Sequence, residues 1–209
     1  MQSVIAKLKA PIRTLANRSG FSIEQQVSID RQAALIQRAR PWQTEHPLIR
    51  LGGDYDGGYL LPDDLEGIVA CFSPGVSNQA SFEEALLARN IRCYQVDASV
   101  EHSPLEHHPL VEFERKFLGT TTEKNFITLR DWVEEKEPER RGDLLLQMDI
   151  EGAEWLVLAA TTDELLSRFR IICIEFHGLE HLFSPFAFAI MERAFEKLLC
   201  QFQDRKSVV

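Results

Sequence analysis

The sequence predicts an α/β fold in which a mainly parallel sheet carries helices on both faces. From residue 68 onward, short apolar segments alternate with helical segments of about ten residues, and parallel strands need such crossovers. The composition, 44 % apolar and 26 % charged over 209 residues, is that of one globular domain with an ordinary core. We therefore expect a Rossmann-like domain.

Residues 1–50 are basic, and we expect them to form a helical arm ahead of an α/β domain over residues 51–209. The arm has eight Lys/Arg against three Asp/Glu, whereas the rest of the chain has 15 against 29. An acidic body disfavours a nucleic-acid partner. The arm could touch an anionic membrane surface, but Pro11 interrupts its apolar pattern, so packing on the domain or on a partner chain is the favoured interpretation.

The arm is followed by a predicted hairpin and then by alternating strands and helices. A second amphipathic stretch covers residues 22–40, and the segment LIRLGGDYDGGYLLP has two apolar runs around a Gly/Asp-rich turn, which indicates a hairpin. The predicted strands cover residues 68–73, 91–97, 111–119, 143–149 and 170–176. The predicted helices cover residues 81–90, 127–136, 153–161 and 184–200. Ser81 with Glu84 predicts a capping box, and Ser184 before Pro185 predicts the start of the last helix.

The cysteines and histidines predict no metal site. Three of the four cysteines lie in apolar strand-like segments, and no C-x-x-C pair occurs, so we expect reduced thiols in a cytoplasmic protein. Three histidines in the loop at residues 101–109 lack the spacing of a ligand set. No apolar run approaches the ~20 residues needed to cross a bilayer, and the N-terminus does not read as a signal peptide.

Two residues at predicted strand ends indicate a cofactor that contains adenosine. In an open parallel sheet, ligands bind beyond the carboxyl ends of the strands. Gly75 follows the first strand, and Asp97 ends the second, a spacing that suits a glycine turn and a ribose-binding acid. The turn has Ser77 and Asn78 instead of the further glycines that a pyrophosphate needs, so S-adenosylmethionine fits better than NAD.

The ends of the fourth and fifth strands hold candidate catalytic groups. Asp149 and Glu151 follow the fourth strand, and His177 follows the fifth. Two carboxylates and an imidazole at neighbouring strand ends form a plausible general-base cluster. Glu154 begins the next helix, where compensation of the helix dipole is the favoured role.

Six segments of the chain occur in a fixed order, namely RLGGDYDGGYLLPDD, CFSPGVSNQASFEEAL, CYQVDAS, TLRDW, LLLQMDIEGAEWLVL and IICIEFH. In these segments the chain resembles the FkbM-type S-adenosylmethionine-dependent methyltransferases. The resemblance runs from Leu51 to about Leu199 and implies a class I methyltransferase fold. It also implies O-methylation of a small hydroxylated acceptor, such as a sugar. Two departures concern the site: Pro74 removes a backbone donor from the cofactor loop, and Gln147 stands where many relatives have lysine.

The resemblance implies roles for individual residues. The cofactor loop would be formed by Gly75, Ser77 and Asn78, and Asp97 would bind the ribose. Asp149 would lie near the methionine end of the cofactor, and Tyr59 would cover it. Leu118 and Gly119 would contact the adenine. For the acceptor proton we take His177 as the first choice of base and Glu151 as the second. Four phenylalanines could wall the acceptor pocket, namely Phe176, Phe183, Phe186 and Phe188.

Other interpretations stay open at this point. The chain could be a non-catalytic relative that binds an adenosine compound or acts as a scaffold, or an NAD-linked or nucleotide-sugar enzyme of Rossmann type. The family fold calls for seven strands, and only five are complete by Phe176, with Lys206 to Val209 resembling the start of a sixth. We therefore expect an incomplete sheet edge, from truncation, or an edge covered by the arm or by a second copy of the chain.

Overall fold

The computed structural model describes residues 12, 14–16, 18–20, 25–40, 45–54, 57–76 and 78–202. Its elements, in chain order, are α1 (Ile29–Arg38), β1 (Leu48–Leu51), β2 (Tyr59–Pro62), β3 (Ile68–Pro74), α2 (Ser81–Leu87), β4 (Arg92–Val96), β5 (Val111–Glu114), β6 (Phe117–Gly119), β7 (Phe126–Thr128), α3 (Leu129–Lys136), β8 (Asp143–Met148), α4 (Glu154–Ala160), α5 (Asp163–Leu166), β9 (Phe169–Ile174), a 3₁₀ helix (Leu179–Phe183) and α6 (Pro185–Phe202).

Five parallel strands form the central sheet, in the order β5-β4-β3-β8-β9. The chain moves outward from β3 to β5 and then returns to place β8 on the other side of β3. The strand order therefore reverses between β3 and β8, and their carboxyl ends flank a crevice of the kind that binds ligands in such folds. This topology confirms the predicted α/β fold.

The two faces of the sheet bury separate apolar clusters because successive side chains of a strand point to opposite faces. One cluster contains Cys71, Cys93 and Leu145 and is covered by α2 and the β1–β2 hairpin. The other contains Phe72 and Leu146 and is covered by the remaining helices. Both faces are thus covered, as predicted, and the hairpin pairs antiparallel as expected.

The second half of the arm packs on the C-terminal part of the domain. The backbone N–H of Val27 donates to the carbonyl of Phe183 at 2.9 Å. Arg31 forms an ion pair with Glu192 and lies 4.7 Å above the ring of Phe188. Leu35 of α1 is buried in the same cluster. Most of the basic segment around Pro11, where membrane contact was considered, lies outside the described residues.

Two local predictions are wrong. The predicted single strand over residues 111–119 is interrupted at the charged residues after β5: Lys116 N–H donates to the Glu114 carbonyl at 2.8 Å, and β6 pairs with β7 in a separate small sheet. The capping box is absent because α2 begins at Ser81 itself, with Ala80 as N-cap. The Ser81 hydroxyl instead accepts from Gly53 N–H at 3.0 Å and ties the hairpin turn to α2.

Two smaller predictions are confirmed, the start of the last helix and the burial of the three cysteines in apolar segments. The last helix begins at Pro185, and Cys71, Cys93 and Cys173 are buried and unpaired, while Cys200 is exposed. Within the described part of the chain, no helix is long and apolar enough to cross a membrane.

β9 is the outermost strand on its side of the sheet as far as the described residues extend. Near its start, Arg170 bonds the Asp143 carboxylate at 2.7 Å and the Glu66 carbonyl at 2.6 Å, which anchors the loop after β2. The predicted start of a sixth strand at residues 206–209 lies outside the described residues.

Candidate active site

Gly75 holds the turn after β3 against the loop after β8. Its φ is 87°, and a Cβ at this position would lie 1.7 Å from the Asp149 carbonyl oxygen. Its N–H donates to the Val96 carbonyl at 3.1 Å, while Asp149 N–H donates to the Pro74 carbonyl at 3.4 Å. Glycine is therefore required here for the approach of two backbone segments, a reason that is independent of any ligand.

Asp97 orders the loops at the end of β4. The residue is 7 % exposed, and both oxygens of its carboxylate accept hydrogen bonds from protein groups. One carboxylate oxygen accepts from Val76 N–H at 3.0 Å, and the other from the N–H and hydroxyl of Ser99 at 2.8 and 2.6 Å. The residue predicted as ribose clamp thus also fixes the glycine turn in place.

A narrow cavity of about 50 Å³ brings together Tyr59, Gly75 and Asp149 from three separate segments. The Tyr59 hydroxyl lies 3.5 Å from Asp149 Oδ2, and burial together with the Asp149 charge raises the pKa of Tyr59 well above its ordinary value. Asn78 is exposed and does not line this cavity, whereas its neighbour Gln79 does. Ser77 lies outside the described residues.

His177 is oriented by a buried carboxylate. Its Nδ1 lies 3.1 Å from Glu154 Oε1, which also accepts from Ile150 N–H at 3.0 Å and from Gly152 N–H at 3.1 Å. Glu154 is fully buried. Because Oε1 acts as an acceptor in both backbone contacts, a hydrogen on Nδ1 completes this set of contacts and leaves Nε2 as the reactive nitrogen.

The reactive Nε2 of His177 faces two further carboxylates. It lies 3.9 Å from Asp149 Oδ1 and 3.6 Å from Glu151 Oε2. Burial by itself lowers the pKa of His177, but the Glu154 hydrogen bond and the charges of Glu154, Asp149 and Glu151 outweigh it and raise the pKa above its ordinary value. The structure therefore brings together all three residues predicted for catalysis.

The contact of Glu154 with His177 is not predicted by the sequence, in which the place of Glu154 at the start of a helix indicates compensation of the helix dipole. Glu154 follows β8 and His177 follows β9, so the pair meets only because those strands are neighbours in the sheet. The signal that could have found it is the placement of both residues just beyond predicted strand ends.

Asp149, Glu151 and His177 could also hold a divalent cation. One ligand atom from each lies within 4.8 Å of the others. A carboxylate on the second ring nitrogen, as Glu154 provides, is the usual support of a metal-ligating histidine. The prediction of no metal rests on the cysteines and the histidine-rich loop, whereas the strand-end positions of Asp149, Glu151 and His177 predict a general-base cluster. It stays a prediction.

A second, larger cavity of about 430 Å³ adjoins His177 and Glu151. Asp149 lines the narrow cavity and lies beside His177, so it stands between the two spaces. Of the four predicted aromatic wall residues, Phe186 lines the larger cavity, and Phe176 supports it by stacking on Trp155 at 4.2 Å. Phe188 is buried in the core, and Phe183 lies in the 3₁₀ helix outside this lining.

Leu118 and Gly119 do not meet the other predicted cofactor residues. They lie on β6, away from the central sheet, where Leu118 packs in the core. Gly119 lines a third cavity of about 250 Å³ together with residues of α3 and α4. Their predicted contact with adenine therefore has no support from the narrow cavity.

Beneath the narrow cavity lies a buried polar cluster that the sequence did not indicate. The Ser73 hydroxyl contacts the Glu83 carboxyl and lies 2.7 Å from Gln147 Oε1. Burial raises the pKa of Glu83. Ser73 has one hydroxyl hydrogen for two acceptors, so a protonated Glu83 satisfies both contacts.

A parallel sheet of this order, with a glycine turn, a buried acid and an imidazole–carboxylate cluster at its switch point, defines a Rossmann-like α/β domain with a candidate ligand site. The family model described as the methyltransferase FkbM domain matches residues 62–202. The chain belongs to the FkbM family and is a methyltransferase. Searches of the curated proteins and of the solved structures gave no match.

Proposed function

We propose that this protein transfers a methyl group from S-adenosylmethionine to a hydroxyl oxygen of a small acceptor. The observation that carries the proposal is the position of Asp149 between two cavities and beside His177. Glu154 contacts Nδ1 of His177, so Nε2 is the nitrogen that faces Asp149. The narrow cavity is bordered by three of the predicted cofactor residues, Tyr59, Gly75 and Asp149, and the larger cavity adjoins His177.

The donor set suits this cofactor. When bound, S-adenosylmethionine supplies a methyl group on a positively charged sulfur. Gly75 and Asp149 line the narrow cavity, where Asp149 is a carboxylate that favours a cationic centre. Asp97, which the family resemblance assigns to the ribose hydroxyls, orders the same glycine turn through Val76 N–H. Tyr59 would lie over the cofactor, and Ser77 and Asn78 would complete the loop by family resemblance.

The residues of the chain provide alignment and proton removal. His177 Nε2 takes the proton of the acceptor hydroxyl, and the resulting imidazolium is stabilised by Glu154 on Nδ1 and by Asp149 and Glu151 near Nε2. Glu151 is the second candidate base, because its carboxylate is exposed next to the same cavity. Aligning the acceptor oxygen with the methyl group accounts for the rest of the rate enhancement.

Calorimetry with S-adenosylmethionine and its demethylated product tests the cofactor. We expect Asp97→Asn to weaken binding about tenfold or more, because it removes a charged hydrogen-bond acceptor. Ser99→Ala is the matched control, since it removes a hydrogen bond to Asp97 but leaves the carboxylate. Equal affinity in wild type and Asp97→Asn, or no binding at all, would refute the cofactor assignment.

The open alternatives give other outcomes. A non-catalytic relative would bind the cofactor without turning over any acceptor. An NAD-linked enzyme would be stabilised against heat by NAD and not by S-adenosylmethionine. We expect the reverse, since the turn at Gly75 has no second glycine to admit a pyrophosphate.

We further propose that the protein acts in the cytoplasm, without a nucleic-acid or membrane partner, and that a second copy covers the β9 edge. The acidic charge of residues 51–209 and the free cysteines support a cytoplasmic protein without a nucleic-acid or membrane partner.

The position of β9 at the edge of the described sheet supports a second copy that covers this edge. A single monomeric species in sedimentation at high protein concentration would refute the second copy.

A further inference from the structure

We propose that the larger cavity takes an uncharged alcohol or phenol carried on an apolar body, and not a bare sugar. The inference rests on the proposed function, because it treats this cavity as the acceptor site. It narrows the acceptor from any small hydroxylated molecule to one chemical class.

The walls of the cavity divide by chemistry. Its polar side chains, Glu151, His177 and His181, come from the segments that follow β8 and β9. Its large apolar side chains come from α4 and α6, which pack against each other, and they are Trp155, Leu156, Phe186, Ile190 and Met191. An acceptor would therefore meet hydrogen-bonding groups from the loops and apolar surface from the helices.

Trp155 adds ring surface but no donor. Its indole N–H donates to the carbonyl of His177 at 2.6 Å, and its ring stacks on Phe176. The hydroxyls of a sugar placed against α4 and α6 would lose water without gaining partners, at a cost of about 1–3 kcal/mol for each such group. A carbohydrate is thus poorly matched to these walls.

Apolar surface on the walls is left in contact with water. Phe186 is 79 % exposed and Leu156 is 51 % exposed. An apolar acceptor body would remove this surface from water, which favours binding, and a cavity of about 430 Å³ is within the usual range for small ligands.

The charge of the site excludes an anionic acceptor. Asp149, Glu151 and Glu154 surround one imidazole, and the described salt bridges give Glu151 and Glu154 no cation other than His177. A carboxylate or phosphate on the acceptor would be repelled. The site therefore suits an acceptor whose hydroxyl lies at His177 Nε2 and has no negatively charged group next to it.

Titration calorimetry with 2-naphthol and with methyl β-glucoside, each with and without S-adenosylhomocysteine, tests the proposal. We expect 2-naphthol to bind about tenfold more tightly than the glucoside. Phe186→Ala and Leu156→Ala should each weaken 2-naphthol binding about threefold to fivefold. Ile29→Ala is the matched control, because Ile29 is 81 % exposed on α1 and lies outside the cavity, and it should change nothing.

Three results would overturn the proposal: equal or tighter binding of the glucoside, unchanged 2-naphthol binding in both wall variants, or equal weakening by Ile29→Ala. Failure of the proposed function looks different. If 2-naphthol binds with the expected variant pattern while S-adenosylhomocysteine does not bind, the cavity assignment stands and the cofactor assignment fails. If S-adenosylhomocysteine binds and 2-naphthol does not, only the acceptor class is refuted.

Discussion

At the scale of single residues, His177 controls the expected pH dependence. A base must be neutral, and the pKa of His177 is raised, so turnover should be low in acid and rise with pH through that raised pKa. Glu154→Gln weakens the main interaction that raises the pKa, so the rising limb should move to lower pH and the plateau should fall about tenfold or more. Glu180→Gln, beside exposed His181, is the control. An unmoved pH profile in Glu154→Gln would contradict the pairing.

The same contact links His177 to stability. Because its pKa in the folded state is raised, its contribution to the free energy of unfolding is fully present below the unfolded pKa and is lost as pH rises through the folded one. Stability and the predicted activity of this residue therefore change in opposite directions with pH.

Removal of divalent cations separates the two uses of the carboxylate–histidine cluster. If His177 is the base, turnover after dialysis against EDTA should equal that of the untreated enzyme. The reason is that a cation on Asp149, Glu151 and His177 would occupy Nε2 and exclude it from proton transfer. Loss of turnover with EDTA and recovery with Mn²⁺ or Mg²⁺ would assign the cluster to a metal.

Gly75 and Gly152 provide a matched test of the close approach between the turns after β3 and β8. Both have positive φ, but a Cβ at Gly75 would collide with the Asp149 carbonyl, whereas a Cβ at Gly152 would meet nothing within 4 Å. Gly152→Ala should lower the free energy of unfolding by about 1 kcal/mol, and Gly75→Ala by at least about 2 kcal/mol more. Urea denaturation measures both, and equal losses would contradict the argument.

At the scale of elements, Ser81 connects α2 to the hairpin turn, whereas the sequence predicts that it caps α2. Ser81→Ala should speed hydrogen exchange at Gly53, because the hydroxyl accepts the hydrogen bond of that N–H. Glu84→Ala should leave this exchange unchanged, whereas a capping box would make both variants loosen the start of α2. Exchange measured by NMR at Gly53 and in the first turn of α2 distinguishes the two arrangements.

Elements with a strong local signal were predictable, and those that depend on tertiary contacts were not. The strands of the central sheet are apolar runs with clear turn residues, so β3, β4, β8 and β9 were placed nearly as the structure has them. The segment over residues 111–119 has the same apolar character at both ends, and only the pairing of β6 with β7 divides it. Ser81 satisfies the sequence rule for a cap, but the hairpin turn competes for its hydroxyl.

At the scale of the whole molecule, the candidate site followed from one rule, that the carboxyl ends of parallel strands converge. This rule correctly grouped Asp149, Glu151 and His177. Leu118 and Gly119, which the family resemblance links to adenine, do not lie at the end of a central strand, since β5 ends at Glu114. The burial of Glu83 and Glu154 follows from no such rule, because it is decided by how helices cover the sheet ends and leaves no periodic pattern.

The position of β3 beside β8 also affects how the protein folds. Phe72 pairs with Leu146, so the central contact of the sheet joins segments about 75 positions apart, while the hairpin forms from neighbours. Closing such a long chain segment costs entropy before any pairing compensates, and parallel sheets of this kind form slowly. During synthesis, β3 to β5 must wait with one edge unpaired until β8 has emerged, and chaperone dependence is therefore expected to concentrate in that interval.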